Sequence, residues 1–84
     1  MSKYGKLLRQ VLRGTSDANI AFDDLCQLLI RVGFQERVTG SHHVFRKEDV
    51  RERINLQQEG DKAKAYQVRQ VREVFAAHEL GEEL

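Results

Sequence analysis

The chain has 84 residues, of which 40% are hydrophobic and 32% charged, with a net charge of +1 and one cysteine. A chain of this length forms one domain whose core is too small to enclose a substrate cavity, so a functional site must lie at the surface. The composition excludes a disordered chain, a disulfide framework and a membrane span. Cys26 lies among leucines, which predicts a buried, reduced thiol in a cytoplasmic protein.

The charges are unevenly distributed along the chain. Between residues 37 and 72, nine basic residues stand against five acidic ones, and three glutamates follow residue 78. A local excess of positive charge is typical of a surface that binds a polyanion such as nucleic acid. A run of charges is nevertheless more often a solvated surface without a partner, so the charge pattern leaves both interpretations open.

The spacing of apolar residues predicts two helices in the first part of the chain. An apolar stripe with helical period predicts an amphipathic helix over Lys3–Leu12 that ends near Gly14. After a polar break the same period returns over Phe22–Val32 and ends at Gly33. Asn19 is the predicted N-cap of this second helix.

Three strands are predicted next. Phe34–Thr39 and His42–Lys47 flank the tight turn Gly40-Ser41, which indicates a β-hairpin. A further turn leads to Arg51–Gln57, which alternates apolar and polar residues as a half-buried strand does.

A final helix is predicted to run to about Leu80 and to stop at Gly81. The fold class is therefore α+β, in the order α-α-β-β-β-α, with a three-stranded antiparallel sheet. Helices must cover one face of such a sheet, and the other face stays in water. We expect this solvated face to be the working surface.

Strand alternation predicts where the histidines of the second strand point. If Phe45 faces the helices, His43 shares its face, whereas His42 and Arg46 lie on the solvated face. Imidazole takes and returns protons near neutral pH, so an exposed His42 is a candidate for acid–base chemistry, although a surface histidine without a role is the commoner case. The histidines lack the spacing of a zinc motif, and the sequence predicts no metal site and no cofactor.

Several stretches between Phe22 and Phe75 resemble the HicA toxins of bacterial toxin-antitoxin systems. The resemblance is carried by Leu25–Leu29, Val32–Phe34, Gly40–Phe45 and Lys64–Val71. It implies a fold like that of double-stranded-RNA-binding domains and an mRNA-cleaving activity that needs no metal. It also implies a HicB antitoxin that masks the active surface.

The resemblance assigns candidate site residues by position. The family's catalytic histidine corresponds to His42 and its turn glycine to Gly40, with Ser41 completing the turn. Because RNA carries its own nucleophile, the 2′-hydroxyl, cleavage needs a base, aligned geometry and cationic groups that stabilise the phosphorane. The candidate cations, which would also hold phosphates, are Arg46, Lys62, Lys64 and Arg69.

Two features depart from the family pattern. Many members have a proline at the end of the third strand, where this chain has Gln57 and Gln58. A helix within residues 1–16 precedes the family-like core, which we place at residues 20–80 of a single domain. We expect this helix to be a packing extension rather than a membrane-surface or targeting helix.

The predicted function is that of a toxin with endoribonuclease activity whose partners are mRNA and a HicB-type antitoxin, with no membrane partner. Two alternatives stay open. A non-catalytic module of the same fold would bind double-stranded RNA by its shape and backbone, with His42 as a contact only. A small interaction protein would instead dock a partner on the sheet face or its edge strand.

Overall fold

Three helices and a three-stranded antiparallel sheet make up the fold over residues 2–84, the part of the chain that the computed structural model describes. The elements are α1 (Lys3–Arg13), α2 (Phe22–Val32), β1 (Gln35–Thr39), β2 (His42–Lys47), β3 (Val50–Gln57) and α3 (Ala65–His78), with a 3₁₀ turn at Asp17–Asn19. The strands lie in the order β1-β2-β3. This arrangement confirms the predicted α+β class and is consistent with a fold like that of double-stranded-RNA-binding domains.

The first two helices end where the sequence predicts. Ser2 is the N-cap of α1, and its Oγ accepts a hydrogen bond from the Gly5 amide at 3.0 Å. Gly14 follows α1 with φ 74°, and Gly33 follows α2 with φ 119°. Both are in the left-handed region that glycine adopts without a steric cost, which is why these residues terminate the helices.

The predicted N-cap of α2 is wrong. Asn19 lies in the 3₁₀ turn, and Ala21 is the residue that precedes the helix, without a side-chain cap. Instead, Ala21 forms an antiparallel bridge with Lys62, and the Phe22 amide donates to the Asp61 carbonyl at 2.9 Å. The loop that follows β3 thus satisfies the start of α2, a long-range contact that no local pattern indicates.

The end of α3 also differs from the prediction. The helix ends at His78, and Glu79 takes the left-handed conformation with φ 51°. Gly81 is buried, and a Cβ added to it would lie 2.8 Å from Leu8 Cδ2. Gly81 therefore makes room for α1 rather than stopping α3.

The two faces of the sheet differ in burial. Phe45, Ile54 and Leu56 are at most 1% exposed and pack with the helices into one core. We call this side the helix face, and it also carries Glu36, Val38, His43 and Glu52. The open face is the opposite side, and it carries Gln35, Arg37, Thr39, His42, Val44, Arg46, Arg51, Arg53, Asn55 and Gln57.

The N-terminal helix is a packing extension, as expected. Leu7, Leu8 and Val11 of α1 are buried in the same core as the rest of the chain. Arg72 of α3 donates hydrogen bonds to the Val11 carbonyl at 3.1 Å and to Asp17 Oδ1 at 2.9 Å. Within residues 2–84, none of the helices has the length and apolar character needed to cross a membrane.

Candidate active site and nucleic-acid interface

The hairpin turn holds His42 at one end of the open face. Of its two residues only Gly40 has a positive φ, 60°, as a type II′ turn requires. His42 pairs with Thr39 on β1 and with Gln57 on β3, so it sits in the central strand. The Ser41 carbonyl accepts a hydrogen bond from the Gln58 amide at 2.8 Å. Backbone pairing on both sides thus fixes the main chain that carries this exposed imidazole.

Arginines extend the open face away from His42. Arg37 pairs with Val44 and is the diagonal neighbour of His42, about 7–8 Å away between Cα atoms for such a pair. Arg37, Val44, Arg46 and Arg53, with Gln35 and Glu36 at the strand edge, line a shallow groove of about 360 Å³. We call this groove the arginine groove.

The acidic residues of the strands all lie on the helix face. There are two, Glu36 and Glu52, and each is held by a histidine. Glu36 Oε2 lies 2.6 Å from His43 Nδ1, and Glu52 Oε1 lies 2.8 Å from His78 Nε2. The hydrogen bond from His78 lowers the pKa of the Glu52 carboxyl. Although Glu36 lines the arginine groove, its carboxylate is turned to His43 on the other face, so the strands present only neutral and basic side chains on the open face.

Of the four cations selected from the sequence, Arg46 lies on the open face with His42. The two side chains are four residues apart along β2, about 13 Å at the usual rise of a strand. Arg37 and Arg53 line the same groove, but the sequence does not indicate them as candidate phosphate-binding residues. Their proximity to Val44 and Arg46 depends on how the three strands are paired. Alternation along the third strand does place Arg53 on the solvated face.

The other three selected cations lie outside the arginine groove. Lys62 and Lys64 belong to the loop that leaves β3 next to His42, and Lys64 forms an ion pair with Glu59 at 2.7 Å that raises its pKa. Arg69 is exposed on α3, in the helix layer. Their contact with RNA stays a prediction.

A second cluster lies on the helix face, on the other side of β2 from His42. Side-chain ligand atoms of Cys26, Glu36 and His43 all lie within 4.8 Å of one another. Cys26 is 5% exposed, and burial, with smaller contributions from Glu36 and Asp23, raises the pKa of its thiol to about 12. The His43 ring packs edge-to-face on Phe22 with centroids 5.0 Å apart. Its packing on this face confirms the orientation predicted for His43.

Sequence reasoning missed this cluster because its members come from α2, β1 and β2 and share no ligand spacing. Cys26 was predicted to be a buried thiol, which is correct, and His43 a partly packed residue. Only the register of the hairpin and the position of α2 above it bring the thiol, the carboxylate and the imidazole together.

Among known protein families, the chain matches the model of one bacterial toxin family. The family model described as HicA toxin of bacterial toxin-antitoxin matches residues 22–77. This span begins at the first residue of α2 and ends one residue before the end of α3, so it contains the whole sheet, with both His42 and the arginine groove. The searches of curated proteins and of solved structures give no significant match.

Proposed function

Since this chain belongs to the HicA family, the toxins of bacterial toxin-antitoxin systems, we propose that it acts by cleaving mRNA, with His42 as general acid and base and without a metal ion in the reaction. The observation that carries the proposal is the position of His42. It is exposed on a sheet face whose strand residues include arginines and no acid. Such a face admits the phosphate backbone of RNA next to an imidazole.

The residues of the open face match the steps of RNA cleavage. The 2′-hydroxyl attacks the adjacent phosphorus while His42 takes its proton. The bond to the 5′ oxygen of the next nucleotide then breaks, and the imidazolium returns the proton to that oxygen. The products are a 2′,3′-cyclic phosphate and a 5′-hydroxyl, so neither water nor an external nucleophile is needed in this step.

Arg37 is the cation best situated to stabilise the charge that develops on the phosphorane. It is the diagonal neighbour of His42 on the open face, and its long side chain spans such a separation. Arg46 and Arg53 lie further along the groove, where they would hold flanking phosphates. Lys62 and Lys64 would contact the strand of RNA that passes the turn, and Arg69 would contact a segment that reaches the helix layer.

The test is replacement of His42 by alanine. A single positioned general base contributes about 10²–10⁴-fold to a rate, so His42→Ala should lower RNA cleavage by about that factor and abolish growth arrest. Circular dichroism should show an unchanged fold, because His42 is exposed. His78→Gln is the matched control, since it removes an imidazole from the helix layer and should leave cleavage unchanged. Full toxicity of a folded His42→Ala protein would refute the proposal, as would cleavage that stops in excess chelator although the fold and the melting temperature of the protein stay unchanged.

A non-catalytic RNA-binding module is the second candidate. It is favoured by one observation: the strands of the open face, within residues 2–84, carry one imidazole and no carboxylate that would act as its acid or base partner. Wild-type protein that binds RNA without cleaving it would support this candidate. Absence of RNA affinity even at low salt would instead support a protein-interaction domain.

The toxin pairs with an antitoxin, and we propose that a HicB-type antitoxin inhibits it by covering the open face. An exposed site has no lid or pocket to close, so inhibition requires a cover. The cover should bury about 1,200–2,000 Å² in total and carry acidic residues that complement the arginine groove.

Chemical modification of the histidines tests whether the antitoxin makes His42 inaccessible to solvent. Carbethoxylation of His42, mapped by mass spectrometry, should be suppressed in the toxin–antitoxin complex and restored when the antitoxin is removed. His78, in the helix layer, provides an internal reference, since its reactivity should stay unchanged. An inhibited complex in which His42 reacts as fast as in free toxin would place inhibition elsewhere.

A further inference from the structure

We propose that Cys26, Glu36 and His43 form a binding site for a zinc-type divalent cation on the helix face, separate from the open face. Their ligand atoms already lie within 4.8 Å of one another. Zinc binds sulfur at about 2.3 Å and nitrogen or oxygen at about 2.0–2.2 Å, so two ligands of one ion are about 3–4 Å apart. The three side chains therefore need to move by only about 1 Å to hold an ion between them.

The donor set indicates the class of cation. Thiolate with imidazole and one carboxylate suits zinc and the neighbouring transition metals, whereas calcium and magnesium require oxygen ligands almost exclusively. Three protein ligands leave one tetrahedral position for water or for a further ligand. The cluster thus differs from the common surface group of carboxylates, because it contains a sulfur donor and an imidazole.

The surroundings restrict the geometry and leave a route for the ion. The His43 ring packs on Phe22, and Cys26 is almost fully buried on α2, so neither side chain is free to turn away. Glu36 belongs to β1, the edge strand of the sheet. The side chains of Glu36 and His43 are 23% and 15% exposed. A cation can therefore reach the cluster from the edge of the sheet.

Binding exchanges one set of interactions for another. Without the ion, Glu36 Oε2 and His43 Nδ1 form a hydrogen bond at 2.6 Å. When the ion binds, the Cys26 thiol releases its proton to solvent, and the thiolate, the carboxylate and the neutral imidazole each donate an electron pair to the metal. Three elements, α2, β1 and β2, are then tied together. The ion clamps the hairpin that carries His42 onto the helix layer, and it should stabilise the folded state as any ligand of that state does.

The chain contains a matched control for this site. Glu52 and His78 form the same kind of pair, at 2.8 Å, on the same face of the sheet. Within residues 2–84, Cys26, Glu36 and His43 are the only group of three potential ligands found within metal-binding distance, and the Glu52–His78 pair is not part of such a group. A requirement for the thiol therefore separates a metal site from a histidine–glutamate ion pair.

The experiment uses the purified full chain with Co²⁺ as a spectroscopic probe and Zn²⁺ as competitor. Wild type should give a thiolate-to-cobalt charge-transfer band at one equivalent, which Zn²⁺ removes, and Zn²⁺ should raise the melting temperature. Cys26→Ala should abolish the band. Glu36→Gln and His43→Gln should each weaken Zn²⁺ binding at least about tenfold. Glu52→Gln and His78→Gln should bind as wild type does.

Each alternative outcome is decisive. Absence of the charge-transfer band in the wild type would overturn the proposal. So would an equal loss of Zn²⁺ binding in Glu52→Gln and Glu36→Gln. Because Cys26 is in the core, the result for Cys26→Ala counts only if circular dichroism shows a folded protein. If that variant does not fold, Zn²⁺ binding by His43→Gln tests the proposal instead. The outcome is independent of RNA cleavage, because His42 lies on the opposite face.

Discussion

The two faces of the sheet are built from the same three strands and differ in burial and in charge. On β2, Phe45 is fully buried while Val44, its neighbour in the chain, lines the arginine groove. The helix face contributes Phe45, Ile54 and Leu56 to the apolar core, and the open face carries the four strand arginines. Because side chains alternate along a strand, one short segment contributes every second residue to the core and the others to an exposed, cationic surface.

Charge separates the two faces as sharply as burial does. The two strand carboxylates lie on the helix face, each paired with an imidazole, whereas four strand arginines lie on the open face. This arrangement keeps negative charge away from the surface that would meet a polyanion, and it gives each carboxylate an imidazole partner.

Stability should show the largest difference between the faces. Phe45→Ala removes a fully buried ring from the centre of the core and should lower the free energy of unfolding by about 3–5 kcal/mol. Val44→Ala, one residue away on the open face, should cost about 1 kcal/mol or less. Denaturant unfolding followed by circular dichroism measures both values. Equal costs would mean that the open face is packed against something and is not a free surface.

RNA affinity should show a smaller difference between the open face and the helix layer. Here a substitution on the open face should have the larger effect. Arg53→Ala should weaken RNA binding and lower the slope of log Kd against log salt by about one, because one phosphate contact and its released counterion are lost. Arg9→Ala provides the control, since Arg9 is an exposed arginine on α1, in the helix layer. Fluorescence anisotropy with a short RNA, titrated at several salt concentrations, gives both slopes. An unchanged slope for Arg53→Ala would remove the arginine groove from the RNA interface.

The parts of the fold that follow local rules could be predicted from the sequence. Alternation predicts the opposite orientations of His42 and His43, and Gly40-Ser41 predicts the turn that joins the first two strands. The ends of α1 and α2 followed from their glycines. These features depend on residues that are close in the chain, where steric rules and periodicity act directly.

The features that the sequence did not reveal depend on contacts between distant segments. Asn19 looks like a cap, but the start of α2 is satisfied by the Asp61 carbonyl, in the loop that follows β3. The grouping of Arg37 with Arg53 requires the register of all three strands. The cluster of Cys26 with Glu36 and His43 requires α2 to lie over the hairpin, and no spacing pattern within the chain records that.

The contact between Leu8 and Gly81 restricts which side chains the two positions can carry together. Leu8 precedes the segment that matches the family and Gly81 follows it, yet the Leu8 side chain fills the space that a side chain at Gly81 would need. The Leu8 side chain and the absence of a side chain at position 81 therefore depend on each other. A larger residue at position 81 would require a smaller one at position 8, more than seventy residues earlier in the chain, so we expect the two positions to change together.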